Sequence, residues 1–507
     1  MNLHNALGFW ATRWPERRAV RCGEQSITWG ELEQRSTELA LGLVRAGVNK
    51  GDRIGILMRN RIEFVEVLFA TFKTGAAVTL LNIRFTAREL LYPVLDSGLR
   101  LLVTEPEFAA TLAEVRRRVA DLKVYATGAA DGCSGLDELR IAGTRAPPVT
   151  VDADDVALIS YTSGTTGFPK GAMLSHGNMR EAGLAVSLPM GVTFDDRVLV
   201  SLPLAYTWGT CVYLQEGLLT GATAIIDNQF TADGLIDLLE QERISLWSTV
   251  PHLLEVIADS PRFRSADFSS LRHVSTGNAS LHLLHAWQNV GVPITQGYGL
   301  TESTGHVTLL FAEDSARKIG SSGRALMHLE IRIIDEHGNA QPPGAPGEIW
   351  VKGPTVMKGY LNKPAETAEA LVDGWLRTGD IGFCDAQGYL SVIDRQKDMI
   401  RSGGLNVYPA ELERVLAGIA GLEEFAIIGV PDPRWSEVPM IVAHGSRALD
   451  IDGLKHRCLS DLADYKRPRY VLEYGKPLPR TVSGKILKRD LRLEFTAVPP
   501  AALALKG

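Results

Sequence analysis

YTSGTTGFPKGAMLSH, residues 161–176, crowds Thr162, Ser163, Gly164, Thr165, Thr166, Gly167 and Lys170 into a loop between two apolar segments. The preceding VALIS (156–160) has the composition of a buried strand, and a helix of mixed polarity is expected from about Asn178. Glycines let a backbone approach an anion, hydroxyls and free N–H groups donate hydrogen bonds to it, and a lysine adds a mobile positive charge. Those are the parts that a triphosphate needs. A Ser/Thr/Gly-rich surface linker has the same composition, so the loop alone leaves both readings open. A Walker A loop is excluded, because it needs glycine before the lysine and Ser or Thr after it, whereas Pro169 precedes Lys170 and Gly171 follows.

Outward from the loop, strands alternate with helices. Upstream, ITWGELEQRSTELALGLVRAG (27–47) is an amphipathic helix with Thr28 as N-cap and Gly47 as stop. RIGILM (53–58), AAVTLL (76–81) and LRLLVT (99–104) are short buried strands, with helices between them in IEFVEVLFATFKTG and TARELLYPVLDSG. Downstream, VLVSLP (198–203), ATAIID (222–227), LWSTV (246–250), LRHVSTG (271–277) and VPITQGYG (292–299) repeat the pattern, with helices from Gly209 to Leu219 and in TADGLIDLLEQER. This alternation predicts parallel sheets covered on both faces. From Lys318 to Asp394 the style changes to short strands punctuated by turns, as in DEHGN and PPGAPGEIWVKG, which marks an antiparallel sheet or barrel. Beyond it, YPAELERVLAGIAGLEEFAIIGVPD reads helix then strand, and another helix precedes RYVLEYG. The expected fold class is α/β: a large N-terminal domain, 1–393, of two parallel-type αβ sheets plus a small β-barrel-like subdomain, then a small α+β C-terminal domain, 394–507.

Composition narrows the function classes. The chain has 507 residues, 45% hydrophobic and 22% charged, the mix of a soluble globular protein large enough for several structural units. A net charge of −6 with no long basic run argues against nucleic acid as a partner. No segment has the length of a membrane-spanning helix. Cys22, Cys133, Cys211, Cys384 and Cys458 are odd in number and never in CxxC, so they read as reduced thiols rather than a structural metal site. The N-terminus lacks a charged lead and apolar core, and ALALKG matches no peroxisomal or prenylation ending, so the cytoplasm is the expected location.

Four further stretches carry chemistry. QGYGLTE (296–302) sets Tyr298 between two glycines and ends on Glu302; an aromatic face can sandwich a purine and a carboxylate can hold Mg²⁺, although a strand ending in a turn has the same look. WLRTGD (375–380) places Asp380 where a carboxylate can accept from ribose hydroxyls, or where it simply forms a turn. DRQKDMIRSGGLNVYPAELE (394–413) is a solvated linker in isolation, and PRTVSGKILKRDLR (479–492) presents Lys485 from a turn. The weight lies in their joint occurrence, in this order and at these spacings.

Together the five stretches resemble the adenylate-forming superfamily of acyl-CoA synthetases, nonribosomal adenylation domains and luciferases, over nearly the whole chain. The resemblance implies an ATP-dependent acid–CoA ligase that makes an acyl-AMP with release of pyrophosphate and then passes the acyl group to coenzyme A. It implies that the first loop holds the phosphates and that Gly277, Asn278, Ala279, Tyr298, Gly299 and Thr301 border the adenine. Asp380 would take the ribose, Arg395 would join the nucleotide site, and Thr166 and Glu302 would hold Mg²⁺. Lys485 stands where the family carries its adenylation lysine. Asp394 stands at the hinge about which a mobile C-terminal domain turns to bring Gly403 and Gly404 beside the pantetheine. Arg84, Trp435 and Arg467 are the implied contacts to the coenzyme A nucleotide.

The acyl pocket of the family is lined by the segments that are here LPLAYTWGTC, TVPHLLEV, STGNAS and LTESTGHVTLL. Two departures stand out: Ala205 and Tyr206 replace the usual aromatic and histidine after LPL, and GNA replaces GGA. Tyr206, Trp208, His252 and His306 offer aromatic and polar surface, with no carboxylate placed to clamp an α-amino group. A medium-chain fatty acid or an aromatic acid is the expected substrate. A ligase loading a carrier-protein phosphopantetheine is the alternative, and a homodimer is left open.

Overall fold

The structure is a computed structural model that describes residues 2–162, 169–277, 279, 281–315, 317–395, 398–402, 405–445, 447–462, 464–480 and 486–505, with the backbone alone at 312, 395, 401, 405, 406 and 465. The chain folds into two compact units, residues 1–331 with 350–377 and residues 332–349 with 378–507.

The first unit contains the two sheets that the alternation predicts. In the eight-stranded sheet, Val156–Thr162, Ala77–Leu80, Arg53–Leu57, Leu101–Thr104 and Lys123–Ala126 are successive parallel neighbours. In the nine-stranded sheet, Ile294–Leu300, His273–Thr276, Leu246–Ser248, Arg197–Val200, Thr223–Ile226 and Arg18–Cys22 run parallel in that order. Helix Ile62–Thr74 is buried at every residue but Glu63 and touches strands of both sheets. Its two buried charges, Glu66 and Lys73, are paired with Arg35 and Arg140 and with Glu33, and the helix fills the layer between the sheets. Helix Trp29–Arg45 packs along it and begins, as expected, at Thr28, whose hydroxyl accepts from Glu31 N while the Glu31 carboxylate accepts from Thr28 N.

Several elements escape the sequence pattern, among them helix Leu3–Arg13 and strands Arg18–Cys22 and Lys123–Ala126. Lys170–Ser175 is a strand, paired antiparallel with Val156–Thr162, which sets Lys170 opposite Thr162. Helix His176–Ser187 then starts slightly earlier than expected, capped by the Ser175 hydroxyl, which accepts from Asn178 N at 3.0 Å.

The second unit holds an antiparallel hairpin, Trp375–Cys384 with Leu390–Arg395, tied to the segment 332–349 by bonds from Thr378 Oγ1 to Ile349 O (2.7 Å) and from Gly344 N to Cys384 O (2.8 Å). Its larger part is α+β: a six-stranded sheet built on the long pair Glu424–Asp432 and Ser436–His444, covered by helices Pro409–Leu416 and Ile451–Asp461. The architecture is thus a large α/β body with a small curled antiparallel subdomain and a smaller C-terminal α+β part. Residue 394, the expected start of the C-terminal domain, lies in strand Leu390–Arg395. All five cysteines are free, and among the described residues no helix is long and apolar enough to cross a membrane.

His176, which closes the opening motif, is fully buried against Phe72, and burial holds its pKa down to about 3; burial, with Lys73 nearby, holds His4 at about 4. Both titrate near 6.5 once unfolded. The unfolded chain therefore binds more protons than the folded one between about pH 6.5 and 4, so stability falls as pH drops through that window, by up to roughly 1.4 kcal/mol per pH unit for each histidine. Thermal unfolding midpoints from pH 7.5 to 4.5 should decline accordingly, with a shallower slope in His176→Gln. A slope identical in the variant would remove His176 from the account.

Candidate active site

Ligands of parallel sheets collect beyond the carboxyl ends of the strands, and there the motifs of the first unit converge. Strand Val156–Thr162 runs into the glycine-rich loop at Thr162, strand His273–Thr276 ends before Gly277, and strand Ile294–Leu300 carries Tyr298 and Gly299 into the short turn Thr301–Ser303. The two sheets are stitched together at this edge. Thr162 Oγ1 donates towards Glu302 Oε1 at 3.5 Å, the Thr207 hydroxyl bonds that of Ser160, and the Thr301 hydroxyl lies 3.3 Å from Thr207 Oγ1.

Tyr360 completes the cluster. Its hydroxyl donates to Glu302 Oε1 at 2.9 Å, and Lys170 Nζ sits 5.1 Å from the centre of its ring. A cation over an aromatic face is attracted to it, so Tyr360 holds both Glu302 and Lys170. The residue is placed by register: it lies opposite Ala172 in the edge strand Gly359–Tyr360. Sequence reasoning passed over it. The available signal was a glycine in a turn-rich stretch, and Gly359 does adopt φ +135° with a side chain excluded by Thr367.

The glycines of QGYGLTE have a steric reason. A Cβ on Gly299 would lie 1.9 Å from the Gly305 carbonyl oxygen, and one on Gly297 would lie 2.6 Å from the His306 ring. Both therefore permit strand Gly305–Leu309 to close on Tyr298 from one side. Gly277 differs: a Cβ there would meet nothing within 4 Å among the described residues. Ala279 is buried, and its N–H donates to Gln296 Oε1 at 2.9 Å.

Of the expected acyl-site residues, three lie around the helical segment that follows strand Arg197–Val200. Tyr206 donates to Asn82 Oδ1 at 2.8 Å, and burial pushes its phenol up. Trp208 meets His306 edge-on with ring centres 4.5 Å apart. Burial holds His306 neutral, with a pKa of about 4. His252 is an exposed residue in the first turn of helix Pro251–Ala258, and Arg84 is also exposed.

In the second unit, Asp380 is buried opposite Arg395 in the hairpin, with Gly379 in the left-handed region at φ +67° before it. Asp394 Oδ2 accepts from Ala410 N at 2.8 Å, so the expected hinge residue caps the helix Pro409–Leu416. Trp435 packs between the guanidinium groups of Arg434 and Arg469. Arg467 donates to the carbonyls of Cys458, Leu459 and Leu462 at the end of helix Ile451–Asp461. Ser163, Gly164, Thr165, Thr166, Gly167, Asn278, Gly403, Gly404 and Lys485 lie outside the described residues, as does the side chain of Arg395.

A profile described as AMP-binding enzyme matches residues 8–361, and one described as AMP-binding enzyme C-terminal domain matches residues 411–485. The chain belongs to the AMP-binding enzyme family. Within the family it is similar to the feruloyl-CoA synthase of Amycolatopsis sp, 42% identical over 501 residues that cover 97% of this chain and 99% of that protein. A long-chain-fatty-acid–CoA ligase of Mycobacterium tuberculosis is 35% identical over 477 residues, 94% of each chain. Among solved structures, the o-succinylbenzoate CoA synthetase of Bacillus subtilis in complex with the acyl-adenylate OSB-AMP superposes with a TM-score of 0.87 at 32% identity, covering 96% of this chain and 98% of that one. This AMP-binding enzyme is an AMP-forming acid–CoA ligase of the adenylate-forming superfamily.

Tyr360→Phe removes the donor to Glu302 and leaves the ring under Lys170. A hydrogen bond to a charged group contributes about 1.5–3 kcal/mol, so kcat/KM for ATP should fall by roughly ten-fold or more. Unchanged kcat/KM for ATP at saturating acid would discard Tyr360 as a partner of the nucleotide motifs.

Proposed function

We propose that the enzyme activates a small aromatic acid as its acyl-AMP and transfers the aryl-acyl group to coenzyme A. The observation that carries the choice of acid is the Trp208–His306 ring pair, 4.5 Å between centres, in which Trp208 follows Thr207, the residue that bonds Thr301 of the proposed nucleotide motif. An edge-on pair of rigid rings offers a flat, narrow apolar wall that suits another ring. The 42% identity to a feruloyl-CoA synthase supports the same reading.

A carboxylate is a poor electrophile, because its charge repels nucleophiles and its leaving group would be oxide; a mixed anhydride with AMP removes both obstacles. As the carboxylate attacks the α-phosphorus, charge gathers there, and groups that stabilise it only then accelerate the step. In this reading Lys485 is that group, with Asp380 on the ribose, Tyr298 beside the adenine and Lys170 on the distal phosphates. Mg²⁺ fits the chemistry of the donor set: it takes one or two carboxylates together with phosphate oxygens and waters, and Glu302 stands beside the Thr162 hydroxyl at the mouth of the glycine-rich loop. When bound there, with Thr166, it would neutralise phosphate charge.

Transfer to a thiol needs different groups at the same carbonyl carbon. Rotation of the part of the chain beyond Asp394 supplies them in this proposal, exchanging Lys485 for Gly403 and Gly404, a gate of a common kind. Arg84, Trp435 and Arg467 are the proposed coenzyme A contacts.

Coenzyme A-dependent AMP formation from ATP, measured over short, medium, long, aromatic and amino acids, should peak with aromatic acids; a peak with unbranched fatty acids would replace the aromatic reading. Lys485→Ala should raise the adenylation barrier by about 3–4 kcal/mol, read as loss of acyl-AMP formation. Asp394→Pro should slow thioester formation more than adenylation, and equal losses in both half-reactions would refute the hinge.

A further inference from the structure

The helical run that carries Trp208 also carries a buried carboxylate. Glu216 belongs to the π-helical segment Tyr213–Leu218, which continues the helix Thr207–Val212, and it is fully buried. Its Oε1 accepts from the Ser248 hydroxyl at 2.7 Å, and the Ser248 oxygen lies 2.8 Å from the Ser275 hydroxyl. Its Oε2 has no hydrogen-bond partner among the described residues. A buried carboxylate oxygen left unpaired costs free energy, and each such group in a native protein asks for a reason. Helical stretches of π type recur at functional sites for the same reason, since they are held by something other than their own geometry.

Position ties Glu216 to the acyl site. Trp208 and Glu216 are eight residues apart on one continuous helical run. With a rise of no more than about 1.5 Å per residue, Glu216 stands roughly 12 Å or less beyond Trp208, a depth that one aromatic ring with a short side chain would span. The preceding Gln215 donates to Thr304 O at 2.8 Å, immediately after the Tyr298–Glu302 motif, and Ser275 lies two residues before Gly277. Two more buried polar atoms of this region, Trp208 Nε1 and His306 Nε2, are likewise without a hydrogen-bond partner among the described residues.

We propose that Glu216 is the distal specificity residue of the acyl site, its Oε2 accepting a hydrogen bond from a hydroxyl on the far end of the acid, so that the enzyme selects hydroxylated over unsubstituted aromatic acids. Burial pushes the Glu216 carboxyl up to about 7, which suits a neutral hydroxyl better than an ammonium group, whose charge would need a fully ionised partner. The inference rests on the aromatic-acid reading above. A site built around a hydroxyl discriminates by leaving its own polar group unpaired when that hydroxyl is missing.

The test compares kcat/KM for cinnamate with 4-hydroxycinnamate and for benzoate with 4-hydroxybenzoate, in wild type, Glu216→Gln and Glu216→Leu, with thermal unfolding and the KM for ATP recorded for each protein. Wild type should favour the hydroxylated member of at least one pair by ten-fold or more. Glu216→Leu should lower kcat/KM for that hydroxylated acid at least ten-fold more than for its parent, and Glu216→Gln, which keeps an acceptor, should restore part of the preference. Equal losses on both members of each pair, or no preference in wild type, would overturn the proposal and leave Glu216 a packing residue. If wild type turns over only fatty acids, the aromatic reading fails by itself. The role of Glu216 is then decided by the same ratio on 10-hydroxydecanoate and decanoate: an unchanged ratio overturns it, and a ratio lost in Glu216→Leu sustains it.

Discussion

The first unit depends on one constraint: two parallel sheets must each bury both faces, and one layer of helices has to satisfy both at once. Helix Ile62–Thr74 meets it by being buried at almost every residue, with Phe69 against Tyr213 and Phe72 against His176. Parallel strands point their carboxyl ends the same way, so an enclosed layer that fixes one sheet against the other also fixes where those ends meet. The bonds among Thr162, Glu302, Ser160, Thr207 and Thr301 are the local consequence. No single motif makes the site; the shared layer brings separate motifs to one edge.

At that edge the chain spends its glycines on close approach. Gly297 and Gly299 let strand Gly305–Leu309 lie against the Tyr298 segment, and side chains at either position would collide with His306 or with the Gly305 carbonyl. The same approach buries His306 and strips it of its proton-binding capacity near neutrality. A residue whose type suggests acid–base chemistry is thereby held as a neutral ring against Trp208. The polar work of the edge falls instead to Glu302, which takes hydrogen bonds from Tyr360 and Thr162 through one oxygen, a carboxylate held in place by two neutral donors.

Between Glu216, Ser248 and Ser275 a short chain of hydrogen bonds runs through the interior. Such networks are costly unless every member is paired, and this one ends on an unpaired oxygen. A fold alone does not choose a substrate; side chains set into it do.

Much of this was legible in the sequence. Strand and helix alternation, the Thr28 cap and the five motifs are local: they depend on side-chain period, on turn residues and on short spacings, which a chain carries wherever it is placed. Lys170 and Glu302 announced themselves by the company they keep within a few residues. Tyr360 did not, because its meaning comes from pairing with Ala172 across nearly two hundred residues of chain, and nothing near it in sequence records that register. Arg467 and Asp394 were named by the family resemblance alone, and tertiary packing gives each a capping bond. Glu216 sat just past the segment judged to line the acid site, inside a run that reads as an ordinary helix. The sequence by itself determined the class of fold and the class of chemistry, because both rest on local pattern. Only the tertiary structure decided which polar groups are left unpaired and what faces them, because burial and hydrogen bonding are properties of neighbours that are distant in the chain.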